Sequence, residues 1–282
     1  MTSSGLYVTR LLTPKTGSTE AECEDAAHVL PSLPFDELVT SPLAVGMSDG
    51  ATESVLAKDW AHMLARSAAQ NAWENEEIFR DGPSFESFTQ TTVSCWEPWL
   101  ETYTAARAAQ GNPLKWYEQT KLTAGASATL LMLRMDPMSG GNWRWRCAAL
   151  GDSCLFHIRD GKVLRSFPME NPDEFGVTPN LFNSLNRDSS LLAARTLFAE
   201  GSCEAGDRLL LTALDAHFRD WLVAGIEHAV PIAVDEGLEG HAALRRRSRT
   251  REGVAAGDGI EDHAERQLQA EAPRLCLEGI VA

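Results

Sequence analysis

Apolar and polar positions divide the chain into alternating runs, helical stripes and a closing stretch with neither. Leu6-Tyr7-Val8 followed by Leu11-Leu12 predicts an edge strand within residues 1–12, and Thr13 to Gly17 a loop. Glu20 to His28 is acidic at its start and runs into Ala26, Ala27 and Val29, a second strand. After a Pro-rich connection, Leu43 to Met47 is a short apolar run that stops at Ser48-Asp49-Gly50. Leu56, Trp60, Met63 and Leu64 then recur at helical spacing, so Glu53 to Gln70 is predicted as an amphipathic helix. Asp81-Gly82-Pro83-Ser84 breaks the chain, and a second helical region runs from Phe85 to Ala109, with Pro98 interrupting it or marking a first turn.

Strands follow. Ala126 to Met135 and Trp143 to Leu150 flank a turn, and Ser153 to Arg159 meets Lys162 to Ser166 at Asp160-Gly161, a strong hairpin signal. Asp207 to Leu214 reads as a buried strand and Phe218 to Ile226 as a helix. From Arg245 the composition shifts to an Arg-, Ala- and Gly-rich tail without a strand pattern, expected to be poorly ordered. The predicted organisation is one domain over 1–244 and an atypical tail over 245–282. The fold class is α+β with antiparallel sheets.

Composition narrows the functional classes. The chain has 282 residues, 44% of them hydrophobic, enough for a substantial core. Its net charge of −15 argues against nucleic acid and anionic membrane as partners, but a bound divalent metal would reverse that sign locally for a phosphate. The first residues lack the pattern of a signal peptide, and no apolar run approaches the roughly 20 residues of a membrane span, so a cytoplasmic location is expected. The six cysteines form no CxxC pair; free thiols and no zinc site are expected.

The candidate chemistry lies in the acids. Asp49-Gly50 ends an apolar run, which puts a carboxylate at the rim of a core with room for close backbone approach, a way to build an oxygen-only metal site. The rival is an N-cap for the following helix. Glu24-Asp25, Gly151-Asp152-Ser153 and Asp215 are candidates to join it, though Gly151-Asp152-Ser153 also fits a tight connection between strands. Trp143 and Trp145, two apart on one strand face, read as core. The arginines of Arg245 to Arg251 read as a solvated tail or a phosphate patch, and Phe167 to Asn183 as a connection or a flap.

Taken together, these motifs resemble the metal-dependent protein phosphatases of the 2C family, in particular bacterial members. Glu22 to Ala26 (ECEDA), Ser48-Asp49-Gly50, Gly125-Ala126-Ser127-Ala128-Thr129, Leu150-Gly151-Asp152-Ser153, Arg159-Asp160-Gly161-Lys162 and Gly206-Asp207-Arg208-Leu209-Leu210-Leu211 leading to Asp215 keep the family's order from about residue 10 to 225. The resemblance implies a central sandwich of two antiparallel sheets with helices on both outer faces, four layers in all. It implies two Mn²⁺ or Mg²⁺ ions, with a third, weaker one allowed, held by Glu24, Asp25, Asp49, the Gly50 carbonyl, Asp152 and Asp215. It implies hydrolysis of a phosphoserine or phosphothreonine in a phosphoprotein by a metal-activated water, with Asp49 bridging the ions.

The chain departs from the family pattern at four points. Thr19-Glu20-Ala21 stands where the family carries a phosphate-binding Arg, and Lys15, on a Gly-containing loop, either takes that role or is a solvated surface lysine. Ala51 follows Asp-Gly where some members have His. Ala216 replaces a Gly after Asp215. Nothing beyond Val234 matches the family's closing acidic strand; the apolar stretch Leu275 to Val281 is broken and lacks the motif. Two functions follow: a metal-dependent serine/threonine phosphatase, or a catalytically inactive relative that binds a phosphoprotein on the same fold.

Overall fold

The computed structural model describes residues 5–12, 19, 22–32, 38–80, 82–170, 179–213 and 276–281, with backbone alone for 11–12 and 276–281. Two five-stranded antiparallel sheets carry it. One has the order β1 (Tyr7–Leu12), β12 (Cys276–Val281), β11 (Arg208–Ala213), β7 (Cys154–Arg159), β8 (Lys162–Phe167). The other has the order β10 (Leu197–Cys203), β6 (Trp143–Leu150), β5 (Leu130–Pro137), β3 (Leu43–Asp49), β2 (Asp25–Leu30). A two-residue pair, β4 (Ser127–Ala128) and β9 (Phe182–Asn183), flanks them.

Alternation along the strands separates two cores. Val45, Met47, Leu131, Leu133, Trp143 and Trp145 face Leu155, Leu209 and Leu211 of the other sheet, so both tryptophans are core residues, as predicted. Ala44, Met132, Ala148 and Leu150 point the other way, against α1 (Ala57–Glu74), α2 (Gly82–Ser94) and α3 (Trp96–Ala109). Helices therefore cover one outer face among the described residues. The expected helix at Phe218 to Ile226 lies outside them. No described helix is long and apolar enough to cross a membrane.

The first helix starts later than the stripe predicts. Leu56, in the left-handed region at φ 63°, holds its N-cap position, and no side chain caps it. Asp49 closes β3 instead, so its reading as the helix cap is overturned. An alanine-rich face (Ala57, Ala61, Ala65, Ala68, Ala69, Ala72) lets α1 lie close to β3. A Cβ at Gly46 would stand 2.0 Å from the Ala65 carbonyl oxygen, so only glycine permits that approach.

Pro98 sits in the first turn of α3, where its missing N–H costs nothing. Asp160 (φ 50°) and Gly161 (φ 73°) make the predicted two-residue hairpin between β7 and β8, with both residues in the left-handed region. The tail needs correction at one place. Cys276–Val281 is a strand paired with both β1 and β11. Backbone hydrogen bonds on both edges hold it, and these do not require the side-chain alternation that Glu278-Gly279 interrupts. The rest of 245–275 lies outside the described residues, as does Ala282.

Candidate metal centre

β2 and β3 pair in antiparallel register with Asp25 opposite Asp49. Period-two alternation sets the direction of both side chains. Asp25 shares its face with Ala27 and Val29, and Asp49 with Met47, Val45 and Leu43, all part of the apolar layer between the sheets. The carboxylates thus emerge together on the inner face, at the end of that layer. Directly opposed residues of such a pair hold their Cβ atoms about 4.5–5.5 Å apart, where two like charges repel and a shared cation relieves them. Asp25 is buried, Asp49 half-buried. The Cys23 thiol donates to Asp25 Oδ2 at 3.7 Å, and burial pushes that thiol's pKa up.

The neighbouring backbone is fixed from three directions. The Gly50 N–H donates to the Glu24 carbonyl at 3.3 Å, and a Cβ at Gly50 would stand 2.9 Å from the carbonyl carbon and oxygen of Ala57 and 3.0 Å from the Glu24 carbonyl oxygen. The Glu24 carboxylate accepts the Thr52 hydroxyl at 2.6 Å. Thr129 clamps the end of β3: its N–H donates to the Asp49 carbonyl at 2.9 Å, its Oγ1 accepts the Asp49 N–H at 2.9 Å, and its carbonyl accepts the Ser48 hydroxyl at 2.7 Å.

Asp152 lies on the crossover from β6 to β7. Leu150 pairs with Leu130, next to Thr129, and the Ser153 hydroxyl meets Thr129 Oγ1 at 2.6 Å. Gly151 makes the bend at φ 107°. The crossover is a tight connection that opens at the same end of the sandwich as Asp25 and Asp49. β11 also runs toward this end, since Thr212 pairs with Cys154. Asp215 and Lys15 lie outside the described residues. Lys58, in the first turn of α1, is near enough to favour the charged form of the Cys23 thiol.

Glu24, Asp25, Asp49 and Asp152, with the Gly50 carbonyl, are oxygen donors throughout, the chemistry a hard divalent ion requires. The donor types suit Mn²⁺ or Mg²⁺, and the lack of a Cβ at Gly50 lets the Ala57 and Glu24 carbonyls pack close beside it. Among the described residues, however, no three of these acids bring ligand atoms within 4.8 Å of one another. One other group does: His157 on β7, Cys203 at the end of β10 and Asp207 before β11.

That second cluster is buried and electrostatically closed. His157 Nε2 lies 2.8 Å from Asp207 Oδ2, the Arg159 guanidinium donates to both carboxylate oxygens at 2.7 and 2.8 Å, and the Glu204 N–H donates at 2.9 Å. Burial opposes the charge on Asp207, but Arg159, the Glu204 N–H and His157 outweigh it and hold the carboxyl well below the usual range. Burial, then the Asp207 charge, pushes the Cys203 thiol up to about 12. In the sequence Asp207 opens a strand and stands in the Gly206-to-Leu211 motif, with no ligand role assigned to it. The available signal was an inward-facing His157 between Leu155 and Arg159 on one strand face.

No protein-family model matches the chain, and no curated protein matches it. Solved structures are similar over nearly its whole length. The Mycobacterium tuberculosis serine/threonine phosphatase PstP/Ppp is 14% identical, with 98% of this chain and 97% of that chain covered and a TM-score of 0.49. The S. agalactiae serine/threonine phosphatase is 9% identical, with 98% of each chain covered and a TM-score of 0.48. The catalytic domain of PstP in complex with two manganese ions is 12% identical, with 98% and 97% covered and a TM-score of 0.46. All three are described as serine/threonine phosphatases.

Proposed function

We propose that the protein is a metal-dependent serine/threonine phosphatase that hydrolyses phosphoserine or phosphothreonine in a cytoplasmic phosphoprotein. The observation that carries this reading is the opposition of Asp25 and Asp49 across β2 and β3, both on the inner face at the end of the sandwich. In this reading Glu24, Asp25, Asp49, the Gly50 carbonyl, Asp152 and Asp215 would hold two divalent ions. Such ions supply Lewis acidity to water and phosphate at neutral pH.

The chain's own groups then have separate tasks. Thr129 fixes the Asp49 backbone, so that its carboxylate is aimed before substrate arrives. Thr52 orients Glu24. Lys15 is the proposed phosphate cation, in place of the arginine the family carries. Ala51 has no proton to give, so the leaving alkoxide takes its proton from solvent.

The test is hydrolysis of p-nitrophenyl phosphate with Mn²⁺ beside Asp49→Asn, with the Mn²⁺-induced rise in melting temperature read on both. Mn²⁺-dependent turnover that falls by at least a hundredfold in Asp49→Asn, with loss of the thermal shift, is the expected result. Undiminished turnover in the variant would overturn the reading. A metal-induced thermal shift without hydrolysis would count against catalysis and favour the inactive, phosphoprotein-binding alternative.

A further inference from the structure

The His157–Cys203–Asp207 cluster has no part in the proposed phosphatase chemistry. It sits at the other end of the sandwich: Asp207 precedes the first residue of β11, and the acids lie beyond its last. At about 3.3 Å per residue, the six residues of β11 separate the two by on the order of 20 Å.

We propose that His157, Cys203 and Asp207 form a second cation site, selective for zinc or a similar borderline divalent ion. Three observations carry it. The three ligand atoms lie within 4.8 Å of one another, and all three residues are buried. Their chemistry is imidazole nitrogen, sulfur and carboxylate oxygen, a set that favours zinc over the Mn²⁺ or Mg²⁺ suited to an all-oxygen site. Finally, the ligands come from both sheets. Cys203 ends β10 in one, while His157 and Asp207 belong to β7 and the turn into β11 in the other. A CxxC pair is not needed, because the strands bring the ligands together.

The ion must compete with a guanidinium. Arg159 now neutralises Asp207, but its side chain is one-third exposed and already reaches Glu204 Oε1 at 3.2 Å. Glu204 is itself exposed, so Arg159 can keep that partner while the ion takes Asp207. The proton balance is simple. The Cys203 thiol gives its proton to solvent as the sulfur binds, and the proton on His157 Nε2 moves to Nδ1. One proton leaves per ion, so the affinity constant should rise about tenfold per pH unit below the thiol pKa. Once filled, the site ties the sheets at the end remote from the acids.

Co²⁺ serves as the spectroscopic stand-in for zinc. The full chain, stripped with chelator and held in excess Mg²⁺ to occupy oxygen-only sites, is titrated with Co²⁺ across a pH series. One equivalent should give a thiolate-to-cobalt charge-transfer band in the near ultraviolet, which Zn²⁺ then abolishes. Cys203→Ser should lose the band and the zinc-induced rise in melting temperature. Cys95→Ser, which alters an exposed thiol, and Asp49→Asn should keep both. Circular dichroism of Cys203→Ser checks that it folds. If it does not, the proton stoichiometry of the parent protein decides, with a pH-independent affinity counting against a thiolate ligand. Absence of the band in the parent, or its survival in folded Cys203→Ser, would overturn the proposal.

Discussion

The hydroxyls of Thr129 and Ser153 stand 2.6 Å apart, and through Thr129 Oγ1 the Asp49 N–H is tied to the crossover that carries Asp152. Both residues are buried, so neither has water as a substitute partner. Thr129→Val keeps the shape and removes the acceptor. It should cost about 1–3 kcal/mol, the penalty of stranding a buried polar group, and weaken Mn²⁺ binding together with stability. Urea unfolding and calorimetry check both, and a stability change below about 0.5 kcal/mol would reject the clamp.

Gly46→Ala tests the approach of α1 to β3. The new Cβ would meet the backbone of Ala65 and Ala69 rather than a movable side chain end. A loss of about 1–3 kcal/mol is expected from overpacking, with α1 displaced from the sheet. A variant that melts with the parent would show that the helix yields freely.

Asp207 gives a pH prediction. Its carboxyl is held below its unfolded value, so its contribution is fully present above about pH 4 and is lost as pH falls toward the folded pKa. Arg159→Met removes the guanidinium, the group that most favours the anion. The folded pKa should rise and the acid-unfolding midpoint should move to higher pH, read by tryptophan fluorescence. An unmoved midpoint would mean that His157 and the Glu204 N–H suffice.

Lys15→Ala separates phosphate binding from an ordinary surface lysine. In the proposed role it should raise KM for a phosphopeptide several-fold more than it lowers kcat. No change in either constant would remove Lys15 from the site.

Local patterns made much of the fold legible. Alternation and Asp160-Gly161 located β7 and β8, and the apolar run ending at Asp49 located β3. β10 escaped notice because it is an edge strand whose Leu197 and Phe198 stay exposed and whose Gly201 interrupts the pattern. The short helices α4 (Trp116–Leu122) and α5 (Ser189–Arg195) are too brief to show a stripe. The acids at the rim carry motif spacing and could be proposed together. His157 and Asp207, fifty residues apart, meet only because β7 pairs with β11, a fact of topology that no local pattern contains.

β12 has a kinetic consequence. β1 reaches its sheet through β12, with Tyr7 opposite Val281 and Leu12 opposite Cys276, so this pairing must close a loop of nearly the whole chain. The β7–β8 hairpin and the β5–β6 pair need only short closures and can form early. On a ribosome, β1 emerges long before β12, and the edge that pairs with it stays open until β12 arrives. Chaperone binding and misassembly should therefore concentrate at β1 and at the β11 edge that also awaits β12, and refolding should show its slowest phase there.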